Sequence, residues 1–293
     1  MSKPTVNPYV ILLVAVTSVS SASIFIRLCT SSPLIIAFYR LAFATLILGP
    51  ITLFGSWRDL KRLSRREFMY MPVIGFCLAL HFAFWITSVK LTSIASSTVI
   101  VSLHPVFVAL GAHMLLKEKI NKFMFSGIIT ALFGCFLIAY GDYELGRENL
   151  LGDLYALVGA ITVALYFLGG RHIRRKSGLL AYATPVYASC TIFLAITCLA
   201  SNLKFYPYSI REYVLFLALA LIPMIMGHTL LNWALKYLPA AQVSTSVLGE
   251  PIGATILAVI ILKEIPTLLT ILGCIITLSG VYLTLKFGPI IES

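Results

Sequence analysis

Ten apolar runs, each long enough to cross a bilayer, constrain this chain more than any other feature of its sequence. A helix needs roughly 20 consecutive apolar residues to span the hydrocarbon core. Such runs occupy residues 8–29, 34–54, 69–90, 93–116, 123–140, 151–170, 179–200, 211–235, 240–262 and 266–287. The connections between them are too short for a separate soluble domain. Composition agrees: 59% of the residues are apolar and 11% charged, where a soluble domain carries about 25% charged residues. The expected fold is an all-α integral membrane protein of ten transmembrane helices.

Charge sets the orientation. The net charge of +11 could suit nucleic acid, but its distribution fits the positive-inside rule better. Basic residues gather at Arg58/Lys61/Arg62/Arg65/Arg66, Lys117/Lys119/Lys122 and Arg171/Arg174/Arg175/Lys176, each cluster in a short connection between runs. With the N-terminus in the cytoplasm, 15 of the 22 Lys and Arg fall inside and 6 outside, and Arg40 lies within a span. Both termini are therefore expected in the cytoplasm, with the acidic loop Asp142/Glu144/Glu148/Asp153 outside. No nucleic-acid partner is expected. The six cysteines sit in or at the ends of the runs without a CxxC pair, and read as small core residues. The first run has no A-x-A site and reads as a retained span.

The chain also repeats itself. Shifted by 146, residues 101–137 fall on 247–283 without a gap, with 11 identities in 37 positions. Pro105 meets Pro251, Leu116-Lys117-Glu118 meets Leu262-Lys263-Glu264, and Gly127 and Gly134 meet Gly273 and Gly280. Two halves follow, 1–141 and 142–293. Each holds five spans, an odd number, so the second half enters the membrane from the opposite side. Such inverted-topology repeats are common among secondary transporters. Two inverted halves can close one side of a membrane while opening the other.

Four stretches carry a family resemblance: SSASIFIRL (20–28), AFYRLAFATLIL (37–48), LHPVFVALGAHMLLKEK (103–119) and LGEPIGATILAVIILKE (248–264). With the helix-central proline, the helix-ending Lys-Glu and the glycine-rich last span of each half, the chain resembles the drug/metabolite transporter superfamily, in the form with two EamA-like domains. The resemblance implies ten helices, cytoplasmic termini and transport of small metabolites, often export of amino acids or related compounds. Two departures stand out. His104 occupies the position of Glu250, and no arginine matches Arg40 in the second half, where Pro185-Val186-Tyr187 stands instead.

The candidate site follows from the prolines. A helix-interior proline frees the carbonyl four residues earlier, here Val101 and Val247. A freed carbonyl in the membrane is tolerated where it is buried in protein or lines a wet cavity. Pro105 and Pro251 thus mark either a midplane binding site or a pair of structural kinks. His104 and Glu250 immediately precede them. An ionisable group at such depth should face a partner or a water-filled cavity. Glu250 is a candidate for recognising a substrate amine or coupling to protons; the alternative is a packing carboxyl bonded to a neighbour such as Arg40. Gly249 and Gly253 form a small-xxx-small face for close helix approach.

His81 and Trp85 share one face of the third helix at i, i+4. His228, Asn232 and Trp233 occupy the equivalent eighth helix. Together they offer ring stacking and hydrogen bonds to an amphipathic substrate, although Trp85 and Trp233 also suit interfacial anchoring. His113 is placed at the headgroups. Arg27 can snorkel. Arg40 is too deep for that and is expected to hold a carbonyl, a carboxylate or a substrate anion, with structural pairing preferred.

The function expected is secondary transport of a small organic metabolite across the cytoplasmic membrane by alternating access, with a monomer or homodimer in the lipid bilayer, protons as a candidate coupling ion, and no cofactor, metal or catalytic residue. An intramembrane enzyme would call for a motif such as HExxH or G-x-S-x-G, and a channel for rings of charge or filter loops. None is found in the sequence.

Overall fold

The computed structural model describes residues 4, 6–92, 97, 100–142, 150–257, 259–260 and 266–287. Among them α1 runs Pro8–Leu28, interrupted at Ser20–Ser21. It is followed by α2 (Pro33–Gly55), α3 (Arg65–Leu91), α4 (His104–Leu116), α5 (Lys122–Asp142), α6 (Leu150–Arg174) and α7 (Leu179–Ala200). Then come α8 (Ile210–Tyr237), α9, built from Ala240–Ser246 and Glu250–Leu257, and α10 (Leu268–Phe287). A short helix, Trp57–Lys61, lies between α2 and α3. Residues 93–96, 98–99, 143–149, 258 and 261–265 lie outside the described residues. With them go part of the fourth and ninth expected spans, the Lys263-Glu264 pair and most of the acidic loop.

Local chemistry explains the helix starts. Asn7 and Ser32 cap α1 and α2 with their side chains, each followed by proline at the first helical position, where the missing N–H costs nothing. Ser64 and Glu67 form a reciprocal capping box at α3, and Ser209 caps α8. Among the described residues seven helices are long and apolar enough to cross a bilayer: α1, α2, α3, α6, α7, α8 and α10. Large apolar side chains such as Leu46, Phe54, Phe133, Ile192 and Ile275 point outward, a surface that suits lipid and not water. The chain is a multi-pass, all-helical membrane protein.

The halves interleave: α3 packs on α6, and α1 on α8. The closest crossing joins α5 to α10. Gly127 faces Gly280 and Gly134 faces Gly273, and a Cβ added to any of the four would lie within 2.8 Å of the facing carbonyl oxygen. Glycine is required there by the approach of two backbones. The pairing is antiparallel, and the 146-residue shift maps it onto itself. Three further contacts join residues 146 apart: Thr277 Oγ1 donates to Ala131 O at 3.4 Å, the Thr45 and Thr191 hydroxyls meet at 3.2 Å, and the Phe82 and His228 rings lie 5.4 Å apart.

One sequence expectation is corrected here. Arg171 and Arg174 are not loop charges. They end α6 with 0% and 1% exposure, because carbonyls at the end of α8 reach them inside the fold.

Candidate functional site

Both broken helices are interrupted at equivalent places. In the first half α4 starts at His104, after a turn at 102–103. In the second, a 3-10 turn at Val247–Gly249 precedes Glu250. The two breaks are resolved differently. The His104 ring donates through Nδ1 to the carbonyl of Val101 at 3.0 Å, the very group that Pro105 frees. In the second half the backbone N–H of Glu250 bonds Val247 O. The Glu250 side chain is thereby left over for the space between the halves.

That space is a cavity of about 50 Å³ lined by Arg40, His81, Trp85, His104, His228 and Glu250, with Ser102, Phe167 and Pro251. Repeat mates stand together in its wall: Trp85 with Leu231, Val101 with Val247, and His104 with Glu250. The cavity therefore straddles the axis that relates the halves. It can hold a few waters and is well below the ~300–1,000 Å³ of a ligand pocket. A metabolite enters only if the walls move.

The rings are held tightly. His81 donates through Nδ1 to Gly159 O at 3.0 Å and stacks on Trp85 with centroids 5.7 Å apart. His104 stacks on Phe167 at 5.8 Å. His228 belongs to a π-helical stretch, Ala220–Thr229, that accommodates Pro223; such bulges occur often at functional sites. Arg40 meets the face of Phe82, with Cζ 4.3 Å from the ring centroid, a cation–π contact. Its Nε and Nη1 have no hydrogen-bond acceptor. Glu250 and Arg40 line the same cavity without an ion pair within 4.0 Å. Of the partners expected for Arg40, neither a carbonyl nor a carboxylate is in place; a ring covers it instead, and the third, a substrate anion, stays open to it. Among the described residues nine buried side-chain atoms lack a partner; five of them are Arg40 Nε and Nη1, Trp85 Nε1, His104 Nε2 and His228 Nδ1, all on cavity-lining residues. Native interiors leave few such atoms, and each calls for an explanation.

The structure thus brings together His81, Trp85, His104, His228, Glu250, Arg40 and Pro251. Trp85, 7% exposed, is packed into the core and lines the cavity. Asn232 and Trp233 are outside the cavity wall. Four residues along a helix is about 6 Å, which carries Asn232 past the cavity into a tyrosine cluster, where Nδ2 donates to the hydroxyl of Tyr166 at 2.5 Å. Trp233 leans on Tyr237, with centroids 4.5 Å apart. Pro105 is buried but does not line the cavity. Gly249 and Gly253 face α1, where an added Cβ would press on Val16 and Ser20. Arg27 and His113 are exposed.

Sequence reasoning missed Phe82, although its repeat mate is His228, and Phe167. It also missed two bonded carboxylates at opposite ends of α8, Glu118 half-buried and Glu212 buried. Glu118 takes Arg171 Nε at 2.7 Å and the N–H of Ala240 at 3.0 Å, while Arg171 Nη1 holds the carbonyls of Leu235 and Lys236 at 2.6 and 3.1 Å. At the other end, Glu212 accepts from the Thr30 and Ser31 amides at 2.8 and 3.2 Å and from both hydroxyls. The Lys117-Glu118 motif and the Ser209-x-x-Glu212 spacing were the available signals. Among the described residues no group of three or more His, Cys, Asp or Glu is gathered for a metal ion.

Comparison with known proteins gives a consistent picture. The model of the EamA-like transporter family matches residues 7–140 and 150–286. An uncharacterized transporter of Archaeoglobus fulgidus is 28% identical over 287 residues, covering 93% of this chain and 96% of its own. The uncharacterized transporter YdfC of Bacillus subtilis is 24% identical over 251 residues, 84% of this chain and 81% of its own. A protein of known crystal structure shares the fold with a TM-score of 0.78 at 16% identity, over 96% of this chain and 97% of that one.

Proposed function

This chain belongs to the EamA-like transporter family, and from that premise we propose that it moves a small organic metabolite across the cytoplasmic membrane by alternating access. The halves 1–141 and 142–293 are inverted five-helix repeats, together ten spans, with both termini in the cytoplasm. The cargo is an amino acid or related compound and the direction is export, as the family resemblance implies. Protons are the candidate coupling ion, carried at Glu250.

One observation carries this reading: a cavity built from repeat mates at two equivalent helix breaks. Half-helix ends and unwound backbone meeting at the repeat interface are how many secondary transporters hold their cargo. The antiparallel, self-mapping contact of α5 and α10 supports the inverted relation. The locks on α8 support a two-gate mechanism. Glu118 with Arg171 ties α4, α6, α8 and α9 together at one end, and Glu212 ties α8 to the α1–α2 connection at the other. Alternating access requires each to open in turn.

The test is counterflow in proteoliposomes. Vesicles preloaded with an unlabelled amino acid mixture should take up labelled amino acid against its gradient, and protein-free vesicles should not. Flux that follows the gradient only, without counterflow, would indicate a channel and defeat the proposal.

A further inference from the structure

Resting on the reading of the central cavity as the cargo site, we infer that Arg40 is its anion anchor and that the cargo must carry a carboxylate. Removing a guanidinium from water costs several kcal/mol unless good hydrogen bonds offset it. Where this chain uses arginine structurally, it supplies them. Arg171 has a carboxylate and two carbonyls on Nε and Nη1, with Nη2 alone left over. Arg174 has the carbonyls of Asn232, at 3.0 Å, and Ser177. Arg40 is as deeply withdrawn, 1% exposed, yet Nε and Nη1 have no acceptor.

Phe82 covers one face of the guanidinium at 4.3 Å. The ring fixes the plane of the cation and takes none of its N–H groups. The cation lines the cavity, so its free donors are available to what enters there. A carboxylate matches a guanidinium in shape and charge and can take two N–H bonds in one plane.

A phosphate dianion fits less well. Among the described residues Arg40 is the only Lys or Arg in the cavity wall, and Glu250 stands in the same wall. One cation beside one carboxylate suits a single negative charge, and Glu250 supplies a second pole for a cargo ammonium. Trp85 Nε1, also without an acceptor, adds a neutral donor from the same wall.

The test uses the full-length protein purified in detergent. Thermal unfolding is followed with the common amino acids, each offered as free acid, α-amide and decarboxylated amine, and with chloride as an inorganic anion. At least one free acid should raise the Tm, and its amide and amine should need at least about tenfold higher concentration for the same shift. Arg40→Gln should lose the response to the acid while its ligand-free Tm stays equal to or above the wild type. Arg40→Lys should keep part of the response, since it retains a point charge without the planar fork.

The inference is overturned if no acid stabilises the wild type, if amide and acid act alike, if Arg40→Gln keeps the discrimination, or if chloride alone gives the shift and acids do not compete with it. Should Arg40→Gln not fold, the acid-to-amide ratio in the wild type and the Arg40→Lys response decide. Counterflow separates the two claims. Acid binding that depends on Arg40 without counterflow sinks the transporter reading alone. Counterflow of cargo lacking a carboxylate, indifferent to Arg40, sinks the anchor alone.

Discussion

Arg171 and Arg40 are both withdrawn from solvent, at 0% and 1% exposure, but they live in opposite surroundings. Arg171, at the end of α6, is clamped by Glu118 and by the carbonyls of Leu235 and Lys236. Arg40, in the middle of the fold, has an aromatic face and two N–H sites without acceptors. The acids pair off in the same way. Glu212 is saturated by Thr30 and Ser31, whereas Glu250 faces the cavity and makes no ion pair. Arg171 also keeps one nitrogen, Nη2, without an acceptor, but a carboxylate and two carbonyls on its other nitrogens let it hold a fold together. A buried charge without such partners makes sense where something mobile completes it.

The sharpest way to break this comparison is to remove each cation in turn. Arg171→Gln should cost about 3–5 kcal/mol, because it strands the Glu118 carboxylate and several backbone groups. It should show as a collapsed folded yield in size-exclusion chromatography. Arg40→Gln should cost nothing in the same assay, since it removes a desolvated charge whose N–H groups lack acceptors. Equal losses would erase the distinction between the two arginines.

The acids give the next largest effect. Glu212→Gln should lower stability by about 1.5–3 kcal/mol, the worth of hydrogen bonds to a charged group, read as a drop in melting temperature. Glu250→Gln should leave melting nearly unchanged but reduce counterflow by about tenfold, or ~1.4 kcal/mol. A matching loss of folded protein would return Glu250 to a packing role. Smallest in its effect on cargo is Phe82→Leu, which removes the ring under Arg40. Loss of the desolvated cation–π contact should cost about 2 kcal/mol of stability but weaken cargo binding only modestly in a thermal-shift titration. An unchanged titration would mean that the ring does not orient the cation.

Much of the candidate site was legible in the sequence. Pro105 and Pro251 announce the breaks, because a missing N–H acts on its own helix whatever surrounds it. The 146-residue shift places His104 opposite Glu250, and both line the cavity. The limits are equally specific. The i, i+4 spacing put Asn232 with His228, but one helical turn moves it into the cluster of Tyr166 and Tyr187. Arg171 and Arg174 looked like loop charges because a sequence shows that they follow an apolar run, not that the end of α8 returns to them.

The sequence by itself determined the all-helical membrane character, the twofold repetition and the two breaks. Each depends on hydropathy, spacing or proline chemistry along one stretch of chain, and so needs no knowledge of neighbours. Only the tertiary structure decided that Phe82 and not a carboxylate meets Arg40, that Glu118 and not water meets Arg171, and that Glu250 is left facing a cavity. Those outcomes depend on the rotation and depth of one helix against another. Packing fixes both, through contacts such as the glycine crossing of α5 and α10, between residues far apart in the chain.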